Sequence, residues 1–152
     1  MSTELTTLCY IEKDGKYLML HRTKKNNDPN RDLWLGTGGH LEDLESPHEC
    51  CIREVKEETG LDIVSPKLRG VITFVDNSWC ELMFLFTADE FSGELIECNE
   101  GDLEWIDKDK VIDLPAWEGD KIFLKKLINN EPFFSLKLIY ENRKLKEVIL
   151  DN

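Results

Sequence analysis

The chain has 152 residues, 41% of them hydrophobic and 33% charged, which suits one soluble domain with a real core. Its formal net charge of −12 disfavours contact with a phosphate backbone, so binding of a nucleic-acid duplex is discounted. No apolar run approaches the roughly 20 residues of a membrane span, and Met1-Ser2-Thr3-Glu4 lacks the basic-then-apolar pattern of a secretory leader, so a cytoplasmic location is expected.

Residues 5–22 read as a hairpin, with strands Leu5–Glu12 and Tyr17–Arg22 around a turn at Asp14-Gly15. Lys24–Asp32 is polar and turn-rich and reads as a surface loop. Leu33-Trp34-Leu35 then steps into Gly36-Thr37-Gly38-Gly39, where little side chain obstructs close approach. Ser46–Thr59 is the clearest helix: Ser46 is a suitable N-cap, Pro47 stands at the first helical position, Glu49 lies three residues after the cap, and Gly60 provides the stop. Strands Leu68–Val75 and Trp79–Ala88 follow, separated by Asp76-Asn77-Ser78. A short strand is expected at Glu104–Ile106, a helix over Asp120–Asn129, and a closing hairpin from Phe133–Tyr140 and Leu145–Leu150 around Glu141-Asn142-Arg143-Lys144. Strands and helices interleave without a regular βαβ rhythm, which predicts an α+β fold with a mixed sheet flanked by helices. No repeat or linker divides the chain, so residues 1–152 are read as one domain.

Five cysteines (Cys9, Cys50, Cys51, Cys80 and Cys98) form no CxxC pair and have no histidines at zinc spacing. Reduced, packed thiols are expected. Excess acid sits awkwardly with a phosphate-rich ligand unless divalent cations intervene; a soluble acidic surface accounts for it equally well.

On the Ser46–Thr59 helix, Glu54, Glu57 and Glu58 fall within an arc of about 100°. Cys51, Ile52 and Val55 lie on another side and are expected to pack. Three like charges at this spacing destabilise an isolated helix by a few tenths of a kcal/mol per pair, and hard oxygen ligands so clustered suit Mg²⁺ or Mn²⁺. Arg53 lies four residues before Glu57, within reach to orient it. By itself the hexapeptide is more at home on a solvated helix than in a metal site.

The surrounding spacing is more specific. Gly39 is followed after five residues by Glu45, and seven residues later comes Arg53-Glu54-Val55-Lys56-Glu57-Glu58-Thr59-Gly60-Leu61. This resembles the Nudix box, G-x5-E-x7-R-E-U-x-E-E-x-G-U with U aliphatic, at every specified position from 39 to 61. The resemblance implies the Nudix fold, an α/β/α sandwich with a mixed sheet, in which the box is a loop–helix–loop that holds metal. It also implies metal ligation by Glu54, Glu57, Glu58 and the carbonyl of Gly38, with Arg53 orienting Glu57 and Glu45 bracing the loop. Gly39 and Gly60 are the glycines of the motif, and Gly39 is also expected against the substrate. The general base varies among related enzymes, and Glu100 is the candidate from a later loop. The implied cofactor is Mg²⁺, with Mn²⁺ as an alternative.

Beyond the box, Trp34, residues 70–74, Leu103-Glu104-Trp105, Trp117-Glu118-Gly119-Asp120 and Pro132-Phe133-Phe134 resemble the MutT-type oxidised-purine triphosphate diphosphatases. Those enzymes convert 8-oxo-dGTP to the monophosphate and pyrophosphate in nucleotide-pool sanitation. The resemblance implies that Trp117 stacks on the base and that Asp120 bonds its edge. Arg22, at the end of the second strand, is suited either to bind a phosphate or to form a surface salt bridge. Animal relatives carry asparagine where Leu35 stands and a second acid where Gly119 stands. Many members have glycine at the position of Leu44, whose replacement predicts altered loop packing. His40 and His48 are read as surface residues. Other readings are a Nudix hydrolase of ADP-ribose, a dinucleoside polyphosphate or a terpenoid diphosphate, and a non-catalytic nucleotide-binding regulator. Relatives often dimerise, although nothing in this sequence marks a homodimer interface.

Overall fold

The computed structural model describes residues 2–151. Strands β1 (Glu4–Lys13) and β2 (Lys16–Arg22) form the expected hairpin, and both turn residues take positive φ, 51° at Asp14 and 76° at Gly15. The remaining elements are β3 (Trp34–Leu35), β4 (Thr37–His40), α1 (Pro47–Thr59), β5 (Asp62–Ile63), β6 (Lys67–Asp76), β7 (Trp79–Ala88), β8 (Phe91–Ser92), β9 (Gly101–Asp107), a 3-10 turn at Val111–Asp113, α2 (Glu118–Ile128), β10 (Phe134–Glu141) and β11 (Lys144–Asp151). No helix among the described residues is long and apolar enough to cross a membrane.

The main sheet runs β11-β10-β6-β7-β1-β2-β3. It is mixed: β1 pairs parallel to β7 and β10 parallel to β6, whereas β6–β7 and β10–β11 are antiparallel. β2 diverges from β1 and takes β3 and β9 as neighbours, which leaves the edge of β1 from Thr6 to Cys9 free for β4. Short strands β5 and β8 form a separate pair.

Alternation along β1 sorts the two cores. Leu8 and Tyr10 join Phe123, Leu124 and Leu127 of α2, while Cys9 and Ile11 join Cys51 and Val55 of α1. A helix thus covers each face of the sheet, giving the expected α/β/α sandwich. Fully burying a side chain such as Phe123 contributes about 1.5–3 kcal/mol.

The start of α1 is fixed by a capping box. The Glu49 N–H donates to Ser46 Oγ at 3.1 Å, and the Ser46 N–H donates to Glu49 Oε1 at 2.9 Å, an arrangement whose cap contributes about 1 kcal/mol. Gly60 ends the helix at φ 83° and donates its N–H to the Lys56 carbonyl.

One expectation for this region needs correction. Ile52 does not pack; it is exposed, and Cys50, Cys51, Val55 and Thr59 form the buried face. At 100° per residue, Glu54 and Glu58 lie inside that buried arc rather than opposite it. The glycine segment makes the close approach its composition allows, with Thr37–His40 paired to Thr6–Cys9 as a strand.

Leu44 does not repack its loop either. It adopts the left-handed conformation that glycine would favour, φ 66°, and its side chain is fully exposed. The left-handed conformation costs a residue with a β-carbon roughly 1–2 kcal/mol. Leu44→Gly is therefore expected to raise the melting temperature by about 2–4 °C with unchanged turnover, read by calorimetry and steady-state kinetics. A lowered melting temperature would show that Leu44 makes a contact of value.

Candidate active site

Strand β4 lies against both β1 and helix α1, with glycines at the two contacts. A Cβ on Gly38 would overlap the Thr7 carbonyl, and one on Gly39 would overlap the Glu54 carboxylate. The approach brings Glu54 and Glu58 inward, toward the strand and toward Glu100, which immediately precedes β9.

Arg53 organises the outer side. Its Nε and Nη2 donate to the two oxygens of Glu45 at 2.7 and 2.9 Å, a bidentate fork. Nη1 donates to Glu54 Oε1 at 2.9 Å and reaches both Glu57 oxygens at 3.3 Å, while Nη2 also bonds the His40 carbonyl at 3.1 Å. The fork, with a hydrogen bond from the Glu42 N–H, holds the Glu45 carboxyl down to about 2. Loop, strand and helix are thus tied through one guanidinium.

The inner carboxylates are held differently. Burial pushes the Glu58 carboxyl up to about 9, with Glu100 and Glu54 adding to the effect. Burial likewise raises Glu54. Gly38 donates its N–H to Glu58 Oε1 at 3.4 Å, and Glu58 Oε2 is buried without a hydrogen-bond partner among the described residues. Crowded carboxylates with an orphaned oxygen form a donor set that fits a hard divalent cation. In this arrangement Arg53 lies between Glu54 and Glu57, and no three acidic side chains among the described residues converge on one ion position. Glu57 is exposed, and its carboxylate meets only the Arg53 guanidinium among the described residues.

One cavity of about 710 Å³ runs from this cluster to an aromatic recess and includes Glu58, Glu100, Arg22, Trp117 and Asp120. Arg22 Nε donates to Asp28 Oδ2 at 2.7 Å, and its Nη1 lies 3.4 Å from Glu100 Oε2. Glu100 also lies 3.5 Å from Lys25 Nζ. At the recess, Trp117 donates its Nε1–H to Asn30 Oδ1 at 2.6 Å and meets Phe74 and Tyr140 edge to face. Asp120 is buried beneath it. Burial, with help from Glu81, pushes its carboxyl up to about 8. Leu35 also lines the cavity and offers only apolar contact there.

Several of these residues escape a reading by sequence. Asp28 and Asn30 lie in the polar loop expected at the surface, yet the Asp28 side chain is only 3% exposed. An aspartate followed by Pro-Asn signals a turn and says nothing of a partner such as Arg22 or Trp117. Gly119 is explained by packing, since a Cβ there would overlap Leu138 and the Tyr140 hydroxyl, to which its N–H donates at 2.7 Å. Of the histidines, His48 packs edge-on against Phe86 and His21 stacks on Trp34.

The raised carboxyl of Asp120 carries a sign that stability measurements can read. The folded state prefers the protonated form, so its stability falls as pH rises from about 4, the ordinary value, through about 8. Asp120→Asn is expected to match the parent near pH 4 and to exceed it above pH 8 by roughly 2–4 kcal/mol in urea unfolding. A difference that does not vary with pH would contradict the assignment.

Comparison with known proteins places this geometry in context. The family model described as NUDIX domain matches residues 3–127. The uncharacterized Nudix hydrolase YvcI of Bacillus subtilis is 38% identical over 120 residues, 75% of this chain and 72% of the relative. An oxidized purine nucleoside triphosphate hydrolase of Danio rerio is 28% identical over 134 residues, covering 87% of this chain and 84% of that protein. Among solved structures, a MutT protein from Bacillus halodurans superposes with a TM-score of 0.89 at 30% identity, covering 97% of each chain.

Proposed function

The chain belongs to the Nudix family of hydrolases acting on nucleotide derivatives, and from that premise we propose that it is a divalent-metal-dependent pyrophosphohydrolase of purine nucleoside triphosphates. Its proposed reaction converts 8-oxo-dGTP or a close relative to the monophosphate and pyrophosphate. The observation that carries this reading is the single cavity joining the carboxylate cluster to the Trp117–Asp120 recess. Its two ends suit the two ends of a nucleotide. The similarity to the Danio rerio enzyme over most of both chains supports the same substrate class.

In this reading Glu54, Glu57, Glu58 and the Gly38 carbonyl hold Mg²⁺ or Mn²⁺. Cations bound there supply Lewis-acid stabilisation of phosphate charge and a more acidic water. The rest is the work of the protein. Arg53 keeps the outer carboxylates in place, and Glu45 fixes Arg53 in turn. Glu100 takes a proton from the attacking water as its oxygen bonds to phosphorus and the bridging P–O bond breaks. Arg22 stands beside Glu100 and balances phosphate charge. At the far end, Trp117 stacks on the base, worth about 1–3 kcal/mol. Asp120, held protonated near neutral pH, donates one hydrogen bond to a base acceptor.

Turnover of 8-oxo-dGTP by variants tests the assignment of roles. Glu57→Gln is expected to fold normally and lose turnover by roughly 10²- to 10³-fold, the scale for one electrostatic partner of a transition state. Trp117→Ala is expected to raise KM about tenfold with a smaller effect on kcat. Parental turnover in Glu57→Gln would dismiss the proposed metal site. An unchanged KM in Trp117→Ala would return that side chain to the core.

A further inference from the structure

We propose that Arg143, on the turn of the C-terminal hairpin, is a positioning residue for Trp117 and through it sets how tightly the nucleotide is held. The inference rests on the reading of Trp117 as the platform for the base. Strands β10 and β11 lie beyond residue 127, where the matched domain ends. They join the sheet through the parallel ladder of β10 with β6, which runs from Phe134–Gly70 to Tyr140–Asp76 and delivers the β10–β11 turn to the mouth of the cavity.

The turn itself is strained. Asn142 has φ 52° and Arg143 φ 70°. Two-residue turns with both φ positive favour Asn-Gly, and asparagine tolerates this region. Arginine does not, so its presence where glycine would relax the backbone points to a use for the side chain.

That use is visible in its contacts. The guanidinium carbon lies 4.6 Å from the centre of the Trp117 ring. Nη2 donates to the Pro29 carbonyl at 2.6 Å, and the Arg143 N–H donates to Asp76 Oδ2 at 3.2 Å. Asn77 Nδ2 donates to Asn142 Oδ1 at 3.2 Å, closing the neighbouring turn against it. Pro29 is adjacent to Asn30, which accepts the hydrogen bond from the indole. One loop therefore holds both the ring edge and the arginine that covers a ring face. Trp117 precedes α2 in extended backbone and makes no capping hydrogen bond through its side chain, so these contacts, with Phe74 and Tyr140, set its orientation. A planar guanidinium suits such stacking, and a lysine ammonium does not reproduce it.

The test uses the full chain with magnesium and 8-oxo-dGTP. Arg143→Gly, Arg143→Lys, Trp117→Ala and the Arg143→Gly/Trp117→Ala pair are compared by steady-state kinetics, melting temperature and the indole N–H resonance of Trp117. Arg143→Gly is expected to raise KM roughly three- to tenfold and to change kcat less than about twofold. Its melting temperature should not fall, because relief of the turn offsets the lost contacts, and the indole resonance should move. Arg143→Lys should not restore KM, and the double variant should be no worse than Trp117→Ala alone. If Trp117→Ala raises KM and Arg143→Gly leaves it unchanged, the inference fails and the platform stands. If Trp117→Ala leaves KM unchanged, the platform fails and the inference with it. Additive penalties, or a KM change accompanied by a lower melting temperature and an unmoved resonance, would also overturn the positioning role.

Discussion

The close approach of the glycine strand to α1 is the constraint from which the candidate site follows. Gly38 has no β-carbon to strike the Thr7 backbone of β1, and Gly39 leaves room for the Glu54 carboxylate of the helix. The contact draws Glu54 and Glu58 off the solvated face and into the seam. Desolvation then opposes their ionisation, and Glu58 Oε2 is buried with no hydrogen-bond partner among the described residues. On the open side Arg53 offsets part of the charge, binding Glu45 bidentately while touching Glu54 and Glu57. The capping box and the packing of Cys51 and Val55 keep the helix formed regardless.

The aromatic end of the cavity has a different origin. It is assembled from segments far apart in sequence: the loop with Asp28 and Asn30, Trp117 before α2, and the C-terminal hairpin with Leu138, Tyr140 and Arg143. The loss of a second acid at Gly119 belongs to this assembly. Tyr140 and Leu138 occupy the space such a side chain would need, and the tyrosine hydroxyl meets the Gly119 N–H. Asp120 is left as the acid beneath the tryptophan, buried and raised by that burial. The recess is lined by apolar Leu35, aromatic Trp117 and the buried carboxyl of Asp120.

How much of this was legible in the sequence follows from the range of the interactions. Local rules served well: Asp14-Gly15 made its turn, and Ser46, Pro47, Glu49 and Gly60 bounded α1. Strand β7 runs over the expected Trp79–Ala88 because its apolar run is long and bounded by turn residues. Strands β5 and β8, two residues each, are too short to carry a period. Ile52 misled because helical spacing shows which residues share a face but not which face meets the sheet. Here the tight packing at Gly39 turned Glu54 and Glu58 inward and left the isoleucine in solvent. The spacing of the box marked the carboxylates, yet nothing in residues 24–32 announced the partners Arg22 and Trp117, which lie elsewhere in the chain. Contacts between distant loops leave no periodic trace.

The most direct measurement is magnesium-dependent hydrolysis across 8-oxo-dGTP, dGTP, other nucleoside triphosphates, ADP-ribose and a dinucleoside polyphosphate, with the products of each separated. A cavity that joins the carboxylate cluster to a stacking recess predicts preferential conversion of a purine triphosphate, 8-oxo-dGTP foremost, to its monophosphate and pyrophosphate. Release of inorganic phosphate, preference for ADP-ribose or the dinucleotide, or no turnover at all would contradict it.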